Sequence, residues 1–194
     1  MDLAEFLPRV PRGDLWVFGY GSLMWSPHFR YTELSPAMLH GYHRALCILS
    51  RRYRGTSDKP GLVMGLCAGG SCWGMAFRVA AARVRPTLEI LWLREMPRKV
   101  YEPRLVSVRV KRGKLVMALA FIADPDHPSV VRELDLHSRA QLVAQGFGER
   151  GSCTDYVRRT LEHMYELGVT DPHLARVLET AEAIRVRADS SRKR

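Results

Sequence analysis

Glu95 sits where a carboxylate is costly. Between Val84 and Met96 the apolar residues recur with helical spacing, and at about 100° per residue Val84, Leu88, Leu91 and Trp92 fall on one side. Glu95 lies within that stripe, while Glu89 points away from it. Desolvation of a carboxyl group on a core-facing stripe raises its pKa toward the range useful for proton transfer near neutral pH. A general acid/base has this profile. The plainer alternative stays open, because Met96-Pro97 should end the helix there, and a last-turn glutamate can reach solvent or pair with Arg94, Arg98 or Lys99.

A second chemistry-bearing segment lies near the N-terminus. Leu15 to Phe18 is an apolar, aromatic-rich run that enters Gly19-Tyr20-Gly21-Ser22-Leu23-Met24. A strand leading into a glycine-flanked turn presents backbone N–H groups that a small anion can approach closely, because glycine has no Cβ. The turn is not a dinucleotide fingerprint, since Met24 takes the third glycine's place, and no Gly-Lys-Ser/Thr follows to make a P-loop. A tight turn after a first strand is the structural alternative.

The elements that must position these groups follow from pattern. Leu15 to Gly19, Ala45 to Ser50, Leu62 to Ala68 and Trp73 to Val79 read as strands, the last two joined through Gly69-Gly70-Ser71. Leu105 to Val110 and Lys114 to Ile122 form a hairpin around Lys111-Arg112-Gly113. Helices are predicted from Ser138 to Gln145, stopped by Gly146, and from Ser152 to Leu167, ended by Gly168. A third starts at Asp171-Pro172 and carries the stripe Leu174, Val177, Leu178, Ala181 and Ile184. Strands first and helices later argue for an α+β fold over a doubly wound one.

Composition narrows the function classes. A chain of 194 residues with 46% hydrophobic and 26% charged residues is expected to form one globular domain. Its longest apolar run, Leu115 to Ala123, is far short of the ~20 residues that span a bilayer. The acidic start Met1 to Glu5 is no secretory signal, so a cytoplasmic location and no membrane partner are expected. Cys47, Cys67, Cys72 and Cys153 lack metal-ligand spacing and read as reduced structural thiols. His40 and His43 would share a face only on a helix, and the Gly41-Tyr42 between them argues against a metal pair; no metal is predicted.

Of the net charge of +10, five positive charges lie at Arg185, Arg187, Arg192, Lys193 and Arg194, read as a frayed helix end and solvated tail. Arg44, Arg51, Arg52, Arg54 and Lys59 cluster around a predicted strand and suit an anionic small molecule. A non-catalytic basic module binding nucleic acid is the alternative of a different class. No helix-turn-helix, RNA-recognition or zinc-finger pattern accompanies the charge, so no nucleic-acid partner is expected.

Taken in order, Phe18-Gly19-Tyr20-Gly21-Ser22-Leu23-Met24-Trp25, Arg54-Gly55-Thr56 with Lys59-Pro60-Gly61, Cys72-Trp73-Gly74-Met75-Ala76-Phe77, Arg94-Glu95, and Gly151-Ser152-Cys153-Thr154-Asp155-Tyr156 leading to Leu167-Gly168-Val169 and Asp171 resemble the ChaC-like γ-glutamylcyclotransferases. The likeness covers roughly residues 15 to 180. It implies a single α+β domain over 15–184 with a mixed, barrel-like sheet and surrounding helices, preceded by an extension (1–14) and followed by a basic tail (185–194).

It also implies an activity, conversion of glutathione to 5-oxoproline and cysteinylglycine, with Glu95 as the catalytic acid/base and no cofactor. Gly19, Tyr20, Gly21, Ser22, Leu23 and Met24 would bind the γ-glutamyl part. Tyr101 and Tyr156 would offer hydroxyls, or else be packed aromatics with hydrogen-bonded tips. The Arg44 to Arg54 cluster would meet the glycyl carboxylate. A relative of the same fold acting on other γ-glutamyl peptides or amines is the nearer alternative, and nothing in the sequence bears on the oligomeric state. Family members usually carry a glycine pair between the glutamate and the tyrosine; here Met96-Pro97-Arg98-Lys99-Val100 stands instead, which bears on loop geometry beside the site.

Overall fold

The structure, a computed structural model, describes residues 1–192. Lys193 and Arg194 of the basic tail lie outside the described residues. The chain divides into two compact units, Met1–Ala45 with Gly65–His127, and Leu46–Met64 with Pro128–Arg194.

The sheet is a closed barrel in the order β1-β3-β2-β4-β5, built from β1 (Leu15–Gly19), β2 (Glu33–Ser50), β3 (Gly61–Val79), β4 (Tyr101–Arg109) and β5 (Leu115–Ala123). All five residues of β1 are buried, as expected of an apolar run hydrogen-bonded on both edges. It runs antiparallel to β3, Leu15 opposite Val79 through Gly19 opposite Met75, and parallel to β5. β4 and β5 form the predicted hairpin, Tyr101 opposite Ala123 through Arg109 opposite Leu115. The sheet is therefore mixed, and the α+β class holds.

Two strand readings need correction. β2 begins at Glu33, well before Ala45; Ser35, Ala37 and Leu39 are buried in alternation, but Pro36 and Gly41 hide the pattern in the sequence. The strands predicted on either side of Gly69-Gly70-Ser71 are one strand, β3. Gly69 and Gly70 take φ of +92° and +72°, a conformation open to glycine, so the chain deflects without turning back. His40 and His43 accordingly lie on β2 and not on a helix, and His43 Nδ1 is 3.0 Å from the Gly69 carbonyl oxygen.

In the first unit, α1 (Leu3–Phe6), closed by an Asp2–Glu5 capping box, brings Phe6 against Trp92 of α2 (Val84–Glu95), ring centroids 5.0 Å apart. Leu88, Leu91 and Trp92 enter a core shared with Leu15, Val17, Phe77, Leu119 and Phe121. This packing pins α2, and with it Glu95, onto the barrel.

The second unit carries α3 (Leu136–Gln145), a two-stranded ribbon of β6 (Phe147–Gly148) and β7 (Gly151–Ser152), α4 (Cys153–Glu166) and α5 (Pro172–Arg192). Asp135, Ser152 and Asp171 cap the three helices by accepting from the N–H groups of Ser138, Asp155 and Leu174. Leu174, Val177, Leu178 and Ala181 of the predicted stripe are buried as α5 packs on α3 and α4. The region 185–192 read as tail continues α5, with Arg185 Nη1 donating to Thr154 Oγ1 at 2.7 Å. No helix among the described residues is long and apolar enough to cross a membrane.

Candidate active site

β1 delivers Gly19 to a turn that the rest of the first unit holds from two sides. A 3₁₀ turn spans Ser22–Met24, closed by Met24 N–H donating to Gly21 C=O and Ser26 N–H to Ser22 C=O, both at 2.9 Å. Because residues opening such a turn have no earlier turn to bond to, the N–H groups of Ser22 and Leu23 stay outside its own hydrogen bonds. Leu23 and Met24 are buried anchors, and the Tyr20 hydroxyl donates to Phe121 C=O at 2.7 Å. The path also depends on Gly74 of β3, where a Cβ would fall 2.4 Å from the Gly19 carbonyl oxygen.

Arg44 holds the start of the turn, its Nε donating to Tyr20 C=O and its Nη2 to Trp73 C=O, each at 2.6 Å. Arg94 holds the end. Its Nη2 donates to Ser22 Oγ at 2.7 Å and its Nη1 to Ser26 C=O at 2.5 Å, while its Nε is 2.8 Å from Glu95 Oε1. The ion pair is largely desolvated, the side chains of Arg94 and Glu95 being 6% and 16% exposed. Glu95 is thus not a lone carboxylate on an apolar stripe; of the partners considered from sequence, the structure selects Arg94. Since Ser22 Oγ accepts from the guanidinium, its own hydrogen is left to donate.

Arg94 is the residue that motif reading passed over. One step from Glu95 on a helix, it projects to a different side and reads as surface, yet it is buried. Only its place beside Glu95 in the family motif hinted at a role. The segment after Glu95 keeps a glycine-like backbone without glycine: Lys99 has φ +52°, and its N–H donates to Met96 C=O at 3.1 Å. Tyr101 opens β4, half-buried, with its ring edge-on to Phe121 at 6.4 Å.

The remaining predicted positions belong to the second unit. Tyr156 is buried; its hydroxyl accepts from Met64 N–H at 3.0 Å and the Arg54 guanidinium lies over its ring. The arginine cluster does not act as one. Arg51 donates to Ser129 Oγ, Arg52 pairs with Glu149, and Arg54 Nη1 donates to Ser152 C=O, so each fastens a local loop. All four cysteines are free and buried; Cys153 Sγ donates to Leu62 C=O at 2.9 Å, and burial pushes its thiol up to about 12. Among the described residues no three His, Cys, Asp or Glu side chains converge as a metal-binding group would require.

In the first unit, then, one guanidinium joins a carboxylate able to exchange protons to a turn rich in hydrogen-bond donors. The family model of ChaC-like proteins matches residues 15–184. The chain is 35% identical over 166 residues to the glutathione-specific gamma-glutamylcyclotransferase of Escherichia coli (strain K12), covering 86% of this chain and 72% of the relative. It is 33% identical over 169 residues to glutathione-specific gamma-glutamylcyclotransferase 1 of Danio rerio, covering 84% and 86%. The crystal structure of a selenomethionine-labelled glutathione-specific gamma-glutamylcyclotransferase from yeast shares the fold, with a TM-score of 0.81 over 89% of this chain and 97% of that one at 22% identity. The chain belongs to the ChaC-like protein family.

Proposed function

We propose that this protein is a glutathione-specific γ-glutamylcyclotransferase, releasing 5-oxoproline and cysteinylglycine, with Glu95 as its general acid/base. Within a ChaC-like chain, the observation that carries this reading is the single guanidinium of Arg94 holding both the Glu95 carboxylate and the Ser22 hydroxyl.

The chemistry needs few parts. The substrate's α-amine attacks its own γ-amide carbonyl carbon, closing a five-membered ring. Well-oriented intramolecular reactions reach effective molarities of about 10⁵–10⁸ M, so folding the γ-glutamyl chain into a near-attack conformer removes much of the barrier. The Gly19 to Met24 turn does this, its N–H groups and the Ser22 hydroxyl meeting the α-carboxylate or the developing oxyanion. Tyr101 adds a hydroxyl at the site. Tyr156, whose hydroxyl is engaged by Met64, serves the fold.

An α-ammonium group, with a reference pKa of about 7.7–8.0, must lose a proton before it attacks. Glu95 accepts it. As the γ-amide C–N bond breaks, the carboxylic acid returns the proton to the cysteinyl nitrogen, which leaves as an amine. No water is consumed and no cofactor is called for, because one internal amine replaces another on the same carbonyl.

The test is to incubate the purified protein with glutathione and follow 5-oxoproline. Release is expected to survive exhaustive chelation and to be much faster than from γ-glutamylalanine, since part of the binding energy comes from cysteinylglycine. Equal rates on both would favour a broader γ-glutamyl substrate range, and absence of 5-oxoproline would overturn the reading.

A further inference from the structure

The groove between residues 28–30 and the start of α2 is lined by His28, Phe29, Arg30, Arg83, Pro86, Thr87 and Ile90. Positions 83, 86, 87 and 90 make one stripe of the helix, spaced three and four residues apart. Two features of its lining are unusual. Neither Arg30 nor Arg83 pairs with a carboxylate or donates from its guanidinium among the described residues, and no carboxylate lines the groove. Thr87 is only 2% exposed, yet its hydroxyl has no hydrogen-bond partner among the described residues. A buried hydroxyl without a partner carries a desolvation cost that folding alone does not repay.

We infer that this groove binds a small organic phosphate monoester: Arg30 and Arg83 meet the dianion, the Thr87 hydroxyl donates to one of its oxygens, and Phe29, Pro86 and Ile90 hold an apolar body. Guanidinium forks match phosphate oxygens in geometry as well as charge. The helix end contributes little, because Pro86 has no N–H and the Val84 N–H already donates to Ala81 C=O in the preceding 3₁₀ turn. Side chains therefore supply the recognition. The groove borders the turn held by Arg94, since His28 Nε2 lies 2.6 Å from Ser26 Oγ.

Phenyl phosphate is a suitable probe, titrated calorimetrically into the full-length protein. One saturable site is expected, with affinity at least about tenfold above that of inorganic phosphate, and saturating glutathione should leave it unchanged. Arg30→Ala and Arg83→Ala should each weaken binding about tenfold, and Thr87→Val several-fold. Thr87→Val removes no existing hydrogen bond, so its melting temperature should equal or exceed that of the parent. Unchanged binding in Thr87→Val, no preference over inorganic phosphate, or displacement by glutathione would each overturn the assignment. The titration does not require the cyclotransferase reaction, so it stands or fails independently of that reading.

Discussion

Replacing Arg94 with methionine isolates the contact on which the site's geometry depends. The Arg94–Glu95 pair is mostly shielded from water, and Arg94 also donates to Ser22 Oγ and Ser26 C=O. Methionine keeps the length of the side chain but leaves the carboxylate without a counter-charge and both oxygen acceptors without this donor. Breaking a buried pair by removing one partner costs about 3–5 kcal/mol. For a chain of this size each kcal/mol is worth roughly 2–4 °C, so the melting temperature should fall by roughly 6–20 °C.

A double-mutant cycle with Glu95→Gln, read by urea unfolding, separates the pair from the other contacts. Arg94→Met should be about 2–3 kcal/mol less damaging in the Glu95→Gln background, where no charge is stranded. Arg94→Lys supplies the kinetic counterpart, keeping the charge but losing the fork. Since a displacement of about 1 Å can cost 10²-fold, kcat for 5-oxoproline release should fall by about that factor, with a smaller change in KM. Additive stabilities within about 0.5 kcal/mol, together with a normal kcat for Arg94→Lys, would refute the idea that Arg94 positions Glu95.

Three further outcomes are expected. Gly74→Ala places a methyl group 2.4 Å from the Gly19 carbonyl oxygen, so it should lower stability by about 1–3 kcal/mol or more, and thermal melts unchanged from the parent would show that β1 and β3 separate easily. Lys99→Gly relieves a left-handed residue costing roughly 1–2 kcal/mol while adding about 0.4–1 kcal/mol of unfolded-chain freedom, so a small net gain in melting temperature is expected and a loss would contradict it. The Cys153 thiol rises from its ordinary 9.0 to about 12 on folding, so its contribution is complete below about pH 9 and is lost as pH climbs toward 12. Urea midpoints should therefore drop more steeply between about pH 8 and about pH 10.5 in the parent than in Cys153→Ser, and parallel profiles would argue against the burial.

What was legible in the sequence was what local chemistry decides. β1 is a short apolar run ending in glycine, the β4–β5 hairpin carries its own turn, and the helices of the second unit announce themselves through Asp135, Ser152 and Asp171. Long-range pairing was not legible. Most of β2 is disguised by Pro36 and Gly41, and β3 passes through two glycines that look like a turn; both strands owe their length to the neighbours that close the barrel. At the site, Glu95 stood out because it breaks an apolar stripe. Arg94 did not, since its burial comes from accepting groups at Ser22, Ser26 and Glu95 that only folding brings to it.

Glu95→Gln tests the central claim most directly. Glutamine retains the size and an oxygen that can accept from Arg94 Nε, so the chain should fold and still bind glutathione by calorimetry. It cannot take a proton from the substrate's amine and return it to the leaving nitrogen. A general acid/base is worth about 10²–10⁴-fold, and with two transfers on one residue 5-oxoproline release should fall by the upper end of that range or more. Turnover within about threefold of the parent, in a protein shown to be folded, would contradict the account and make the Glu95 carboxylate structural.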